Sequence, residues 1–294
     1  MFPPGLAPMT EAVPGHVAHR AAWYRDLIGP LLVPVAALAS FRSALVEHHL
    51  AGQDVDGGEP LRVGLIGDAT QPDPLPGLFD AVRLLTDDGP TVRVVAVEVA
   101  VPPGDDQVQQ AQRIAVSLDE RLPAGVLGWV EVRSGPDLQR ALAALADAPQ
   151  RICAKYRTGG TRAELFPTPA ELATVLHGAV EVSVPLKLTA GLHHAVRHTD
   201  PATGFAHHGF VNVLAAVATA RDGGSVSDVT ATLSSTDDAG LVGILRALDP
   251  ATAAAVRTTF ASFGCCGVTD PVDDLVDLGL LERAAASDQS GGRE

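Results

Sequence analysis

The chain has 294 residues, a formal net charge of −14 at pH 7 and a hydrophobic fraction of 46%. This length suits one large barrel or two modest domains, and the acidic balance argues against a protein that binds nucleic acid. No apolar run reaches the roughly 18 residues that span a membrane, and the first residues lack the positive segment of a signal peptide. The three cysteines give no disulfide framework. We therefore expect a cytoplasmic protein without a membrane partner, and we expect its partner to be a small-molecule substrate.

Strand-like and helix-like patterns alternate along the chain. Residues 1–15 read as a flexible Pro-rich leader and residues 284–294 as a flexible tail, which leaves 16–283 as one predicted domain. Each of six predicted strands is followed by a helical pattern, and the strands lie at 31–35, 61–68, 91–101, 125–135, 151–157 and 182–189. The segment 225–234 fits either a strand or a helix, "RTTFASFGCCG" indicates a final strand, and "DPVDDLVDLGLL" predicts a last helix.

The alternation predicts an α/β fold made of parallel βαβ units. Seven or eight units of this kind favour a parallel (β/α)₈ TIM-type barrel, with an irregular barrel or one of seven clear strands left open. A doubly wound open sheet is the main alternative, but the chain contains neither G-x-G-x-x-G nor G-x-x-x-x-G-K-[ST], so its nucleotide-binding forms lack support. The stretch 51–60 is the best linker candidate and more readily joins a helix to the next strand.

Lysine occurs at two positions only, Lys155 and Lys187, although the chain has 21 basic residues of Lys and Arg type. A coding bias towards arginine removes surface lysines at little cost, whereas arginine cannot replace an amine that must lose its proton. The alternation of side chains predicts that both lysines lie on the face of their strands opposite the apolar one, near the carboxyl end. Catalysis occurs at that end in such barrels. The two lysines are therefore the strongest candidates for chemistry.

Acidic residues on two earlier strands are the predicted partners of the lysines. Glu98 and Glu131, with Arg133, lie at comparable depth on their strands. Charged residues in otherwise apolar strands require partners, so one interpretation is an internal ion-pair network without catalytic function. The other is a Schiff-base enzyme, in which repulsion and burial lower the pKa of Lys155 so that its neutral amine attacks a carbonyl, with Lys187 as the neighbouring charge.

The segment 153–191, "CAKYRTGGTRAELFPTPAEL…VPLKLTAG", resembles the double-lysine segment of class I deoxyribose-phosphate aldolases. The resemblance matches Lys155 to the Schiff-base lysine, Lys187 to its partner lysine, and Thr158-Gly159 to the family's Thr-Gly pair. It implies a barrel and an aldolase-type lyase. Arg157 replaces a small residue of the family pattern, and "KLTAGLHH" lacks its second glycine, so the substrate implied is not a deoxyribose phosphate in particular. The stretch 155–212 is also similar to uncharacterised proteins of high-GC bacteria.

The loop after the second lysine, "GLHHAVRHTDPATGFAHHGFVN", holds five of the ten histidines. Acid/base or substrate-binding roles are the first interpretation, a solvated loop without chemistry the second, and a divalent metal site the third, because the spacing fits no standard metal motif. His193 and His208 are the best individual candidates. His208-Gly209 is predicted to begin a helix whose amides favour an anion.

These observations give one set of predictions. The catalytic candidates are Lys155, Lys187, His193, His208, Glu98 and Glu131. The substrate-binding candidates are Arg133, Arg157, Thr158, Gly159, Gly160, His194, Arg197 and Asn212. We expect a carbon–carbon lyase of the class I aldolase type that needs no cofactor or metal and acts on a small carbonyl compound. The alternatives are a metal- or His-dependent hydrolase or isomerase and a non-catalytic ligand-binding barrel, and self-association is left open.

Overall fold

A computed structural model describes residues 7–48, 59–89, 91–104 and 106–283. Nine strands are assigned in these ranges: β1 Leu31–Pro34, β2 Leu61–Ile66, β3 Val92–Ala100, β4 Leu127–Val132, β5 Ile152–Arg157, β6 Leu186–Thr189, β7 His198–Thr199, β8 Ala206–His207 and β9 Phe260–Gly264. Eleven α-helices accompany them: α1 Met9–Ala21, α2 Leu38–Glu47, α3 Leu75–Asp87, α4 Gln107–Arg121, α5 Leu138–Ala146, α6 Pro169–Glu181, α7 Phe210–Arg221, α8 Val226–Ser234, α9 Asp238–Arg246, α10 Pro250–Thr259 and α11 Thr269–Asp277.

Seven of the strands form one parallel sheet in the order β1-β2-β3-β4-β5-β6-β9. The sheet curls as a partial barrel and its strands alternate with helices, which confirms the predicted α/β class and the parallel pairing. The short strands β7 and β8 form a separate antiparallel hairpin in the histidine-rich loop. Because all seven strands run the same way, the side chains at their carboxyl ends meet at one edge of the fold.

The two faces of the sheet have different surroundings, as the alternation in β5 predicts. Ile152, Ala154 and Tyr156 belong to the main core, where they pack with the apolar faces of the helices. Cys153 belongs to a small separate cluster with Ala96 and Trp129. We call the face that carries Cys153 the inner face. Lys155 and Lys187 lie on this inner face, because the residues directly before and after each of them in sequence belong to the main core on the other face.

The structure corrects two of the sequence predictions and decides a third that was left open. β6 begins only at Leu186, because residues 182–185 form the turn after α6, with Ser183 at a φ of +57°. The ambiguous segment 225–234 is helical, since Ser225 and Asp228 form a capping box at the start of α8. Helix α1 includes residues 9–15 of the predicted leader and buries Met9 and Val13 despite an internal Pro14. The predicted tail, 284–294, and most of the linker candidate, 51–58, lie outside the described residues.

Membrane-spanning potential is limited in the described ranges. No single helix there is both long and apolar enough to cross a bilayer. Helices α9 and α10 taken together have the length and apolar composition of a membrane span, but the chain bends by 114° between them.

Candidate functional site

The charged side chains of the inner face form one buried group, which we call the lysine–glutamate cluster: Glu98, Glu131, Lys155, Arg157 and Lys187. Lys155 Nζ lies 2.7 Å from Glu98 Oε2 and 2.8 Å from Glu131 Oε2. Lys187 Nζ donates a hydrogen bond of 2.6 Å to Glu98 Oε1. Arg157 Nε donates to Glu131 Oε1 at 3.1 Å. The structure therefore brings together both predicted lysines and both predicted glutamates.

Strand register explains why residues so far apart in sequence meet. Glu131 is the register partner of Lys155, and Lys155 is the partner of Lys187. Glu98 is level with Trp129, one inner-face position below Glu131, and its side chain reaches both ammonium groups. The alternation within each strand puts its charged residue on the inner face, and the parallel pairing of the strands brings these residues together.

The charges of the cluster hold one another in the ionised state. Burial disfavours the ammonium form of Lys155, but Glu98 and Glu131 outweigh this effect and raise its pKa above the usual value. Burial likewise favours the neutral acids, yet Lys155 and Lys187 lower the pKa of Glu98 to about 2. Lys155 and Arg157 also lower the pKa of Glu131. The shift of Lys155 is opposite in direction to the one that the Schiff-base interpretation expected, and it has the direction that an ion-pair network produces.

Glu98 carries the least satisfied atom of the cluster. Its side chain has no exposed surface, and Oε1 accepts the hydrogen bond from Lys187. Oε2 lies close to Lys155 Nζ, yet this contact lacks hydrogen-bond geometry, so that oxygen is buried without a hydrogen-bond partner. The ion pair with Lys155 keeps this oxygen charged, and the low pKa of Glu98 makes it a weak proton acceptor in the resting cluster.

Beneath the charges lies an apolar floor that the sequence did not identify. Trp129, Ala96 and Cys153 pack together on the inner face, with Ala261 of β9 beside them. Lys187 Nζ lies 5.8 Å from the centre of the Trp129 ring, within the range of a cation–π contact. Burial raises the pKa of the Cys153 thiol to about 11, so this cysteine is an inert part of the floor.

The segment after β5 is held by close backbone packing. Thr158 donates through Oγ1 to the carbonyl of Ala190 and through its amide to Thr189 O at 2.8 Å. A Cβ at Gly159 would lie 2.9 Å from Gly191 Cα, and one at Gly160 would collide with the side chain of Leu165. Thr158 and Gly159 thus fix the contact between the loops that follow the two lysine strands, whereas Gly160 packs against Leu165 of its own loop.

Both predicted guanidinium groups near the cluster have protein partners. Arg133 Nη1 donates to the carbonyls of Val101 and Pro102, the latter at 2.9 Å, and so holds the loop after β3. Arg157 is about one-third exposed and contacts Glu131. Of the two, Arg157 is therefore the one placed between the buried charges and solvent.

His208, Arg197 and Asn212 are held by contacts with one another and with the backbone, and His208 and Asn212 are buried. His208 is fully buried, and its Nε2 donates to Pro167 O at 2.7 Å while Nδ1 faces Arg197 Nη1 at 3.4 Å. Burial lowers the pKa of His208 to about 4, so the ring is neutral at pH 7. Asn212 accepts from the Arg197 amide and donates to the carbonyls of Thr232 and Ser235. Their side-chain contacts tie loops to helices α7 and α8.

At the start of α7, where the sequence predicted an anion site, the first two backbone amides donate hydrogen bonds within the protein. Gly209 is the N-cap, and the first two helical amides, those of Phe210 and Val211, donate to the carbonyls of His194 and Ala195. A Cβ at Gly209 would also collide with the carbonyl of Ala195. The chain itself, rather than a ligand, therefore uses these donors.

The other histidines lie together around the β7–β8 hairpin. The ring of His198 lies 4.6 Å from that of His194 and 5.2 Å from that of His207, measured between centroids. His207 also lies 4.6 Å from the ring of Phe166. His194 contacts Asp274 Oδ2 of α11 at 3.1 Å. In the part of the chain that the structure describes, no group of three or more His, Cys, Asp or Glu side chains is arranged to hold a metal ion.

His193 has neighbours that sequence reasoning missed. Cys266 Sγ lies 3.5 Å from its Nε2 and 3.7 Å from its Nδ1, and Cys265 Sγ lies 3.7 Å from its Nδ1. From the sequence alone no base could be assigned to either cysteine. The available signal was positional, because "GCCG" follows the last strand and the histidine loop follows β6, which is paired with that strand.

No member of the lysine–glutamate cluster lines either of two surface cavities. One of about 280 Å³ lies near the start of α4, with Asp73, Pro102 and Arg113 in its wall. The other, of about 380 Å³, is lined by His194, His198 and Asp274 among others. Neither is lined by a lysine, so in this conformation the ammonium groups are not part of either open cavity.

Sequence comparisons add no functional assignment. No protein-family model matches the chain, and no curated protein is significantly similar to it. Function must therefore be argued from the site itself.

Proposed function

We propose that the protein is a lyase of the class I aldolase type, which forms a Schiff base between Lys155 and a small anionic carbonyl compound. The supporting observation is a buried primary amine with carboxylate oxygens at 2.7 and 2.8 Å and a second lysine next to it. A buried lysine that can become neutral is the residue type this chemistry requires. Small-molecule binding and a cytoplasmic location remain predictions of the sequence.

Proton transfer is the step that the cluster has to solve, because Lys155 is an ammonium ion at rest. The nearest acceptors are Glu98 Oε2 and Glu131 Oε2, at 2.7 and 2.8 Å from Lys155 Nζ. The transfer is uphill in the resting cluster, because the pKa of Glu98 is low and that of Lys155 is raised, so the bound substrate has to weaken these ion pairs first. The neutral nitrogen then attacks the carbonyl carbon, and the carbinolamine loses its oxygen as water. The resulting iminium takes up the electron pair of a neighbouring C–C bond as that bond breaks. Lys187 and Glu131 are placed to stabilise charge and return protons.

The charge balance of the cluster favours an anionic substrate. It contains three basic side chains, Lys155, Lys187 and Arg157, against two acidic ones, Glu98 and Glu131. An excess of positive charge in a buried site is stabilised by a ligand carboxylate or phosphate. Arg157 is the most exposed member, at about one-third, and is the natural contact for that group.

The proposal includes a closed barrel of the TIM type, beyond the curled sheet itself. The edge strands β1 and β9 approach each other at their ends, since a Cβ at Gly264 would lie 3.9 Å from Leu32 Cδ1. In a closed barrel the inner face would line the interior, with the cluster towards the carboxyl ends of the strands, where barrel enzymes hold their active sites.

Borohydride trapping tests the proposed imine. The protein is incubated with small aldehydes, keto acids and sugar phosphates, reduced, and mapped by peptide mass spectrometry. Because the chain has two lysines, at 155 and 187, the modified residue is identified without ambiguity beside the α-amino group. We expect an adduct on Lys155 that disappears in Lys155→Arg and persists in Lys187→Arg. An adduct confined to Lys187 would reverse the roles, and none on either lysine would exclude Schiff-base chemistry with these compounds.

A static ligand-binding barrel is the second candidate, and one observation favours it. Lys155 has a raised pKa and contacts two carboxylates, which is the arrangement of a structural ion-pair network. In that case an anionic compound would raise the melting temperature of the protein without any trapped adduct. Thermal shift and trapping on the same compounds separate the two functions.

A further inference from the structure

Two adjacent thiols and one imidazole meet at the end of the sheet that carries the lysine–glutamate cluster. Gly264 is the register partner of Thr189, so Cys265 and Cys266 follow β9 beside the segment that leads from β6 to His193. All three side chains are partly buried and none is enclosed. Both sulfur atoms lie within 4 Å of a His193 ring nitrogen.

The surroundings of the two thiols differ. Cys265 donates its S–H to Gly267 O at 2.6 Å, and burial raises its pKa to about 12, which keeps it protonated. Cys266 instead contacts both nitrogens of the imidazole. Burial and the neighbouring His207 lower the pKa of His193, so at pH 7 this ring is neutral and able to accept a proton. The pair that can generate a thiolate is therefore Cys266 and His193.

We propose that Cys266 is a reactive thiol that undergoes exchange with low-molecular-weight disulfides, with His193 as its proton acceptor. The Cys266 S–H proton passes to His193, and the thiolate attacks one sulfur of the disulfide. The S–S bond of the reagent breaks, a mixed disulfide forms on Cys266, and the leaving thiolate takes the proton from His193. No further oxidant is needed, because the disulfide is itself reduced.

Thiol reactivity of the folded protein tests this assignment with an aromatic disulfide, dithiobis(nitrobenzoate), as the probe. We expect one fast equivalent of thiol, which Cys266→Ser abolishes and the adjacent Cys265→Ser preserves. We expect His193→Gln to slow that phase by at least about tenfold and to shift its pH profile upward. Intact-mass analysis with oxidised glutathione should show one mixed disulfide that maps to Cys266.

Other results would overturn the proposal. These are loss of the fast phase in Cys265→Ser, an unchanged rate and pH profile in His193→Gln, or wild-type thiols that react no faster than a cysteine in an unfolded peptide. Far-ultraviolet circular dichroism of each variant separates loss of reactivity from loss of fold. Repeating the assay on Lys155→Arg makes the result independent of the proposed lyase, since the thiol reaction uses no lysine.

Discussion

Lys155 and Lys187 face each other on neighbouring parallel strands, and both ammonium groups contact the carboxylate of Glu98. Two adjacent cations would repel in isolation, but a shared anion turns the arrangement into a chain of attractive contacts. Each charge in this chain depends on the others, because a buried ion left without its partner carries the full desolvation cost. The cluster is therefore expected to respond strongly to the loss of any one charge.

Glu98→Gln should be among the most destabilising single substitutions in the protein. It removes the carboxylate that both lysines share and leaves Lys187 without its ion pair. We expect the free energy of unfolding to fall by about 3–5 kcal/mol, measured by urea denaturation. Asp88→Asn is the matched control, because it breaks an exposed pair with Arg42 and should cost no more than about 1 kcal/mol. Equal effects of the two substitutions would contradict a tightly coupled buried cluster.

Glu98 should also make stability depend on pH in strong acid. Its pKa is about 2 in the folded protein against 4.5 for the free side chain. The folded-state value is the lower one, so the stabilisation is complete above about pH 4.5 and is lost as pH falls towards 2. Unfolding free energies measured across this interval should fall less steeply in Glu98→Gln than in the wild type. Parallel curves would show that Glu98 is not the group that titrates.

His208 should make the stability of the fold depend on pH in a higher pH interval than Glu98 does. Its pKa is lowered from 6.5 to about 4, because the buried ring stays neutral. The unfolded chain binds the proton first, so stability should fall as pH drops from about 6.5 to 4 and then become insensitive to this group. His208→Gln should reduce the slope in that interval by up to about 1.4 kcal/mol per pH unit. Part of the slope will remain, because His193 and His207 also have lowered pKa values.

Gly191→Ala tests the close approach of the two loops that follow β5 and β6. Gly191 has a φ of +82°, and a Cβ there would lie 2.9 Å from Thr158 O. Gly204→Ala is the control, since Gly204 has a similar φ of +72° but nothing within 4 Å of the added atom. We expect Gly191→Ala to cost about 1–3 kcal/mol more than Gly204→Ala, measured by thermal unfolding. Matching losses would mean that backbone strain alone accounts for the effect.

The sequence predicted the strands best where side chains alternate clearly. In β5 the alternation separated Lys155 from its apolar neighbours and so located the inner face correctly. It failed at 182–185, because "VSVP" has the composition of a strand while Ser183 adopts a positive φ in a turn. Propensity cannot detect such a turn, since Ser is only rarely found in that conformation. It also suggested no helix at 9–15, where Pro14 argues against the α1 that the structure contains.

The candidate site was predicted as a list of residues rather than as a set of contacts. The five members of the lysine–glutamate cluster could be named because charges in apolar strands are conspicuous. The sequence does not show which of these charges contact each other, so the ion-pair network and the catalytic lysine remained alternatives. The expected direction of the pKa shift of Lys155 differed between the two. His193 and Cys266 are 73 residues apart, and no local pattern indicates a contact across that distance.

The burial of both lysines has a practical consequence for anyone who handles the protein. Lysine is confined to positions 155 and 187, and these two residues are 2% and 4% exposed. The folded surface therefore offers an amine-labelling reagent essentially only the α-amino group. A lysine-specific protease likewise meets its two cleavage sites only when the sheet opens. Its cutting rate under native conditions therefore reports the opening equilibrium of the strands that carry the cluster, without any engineered probe.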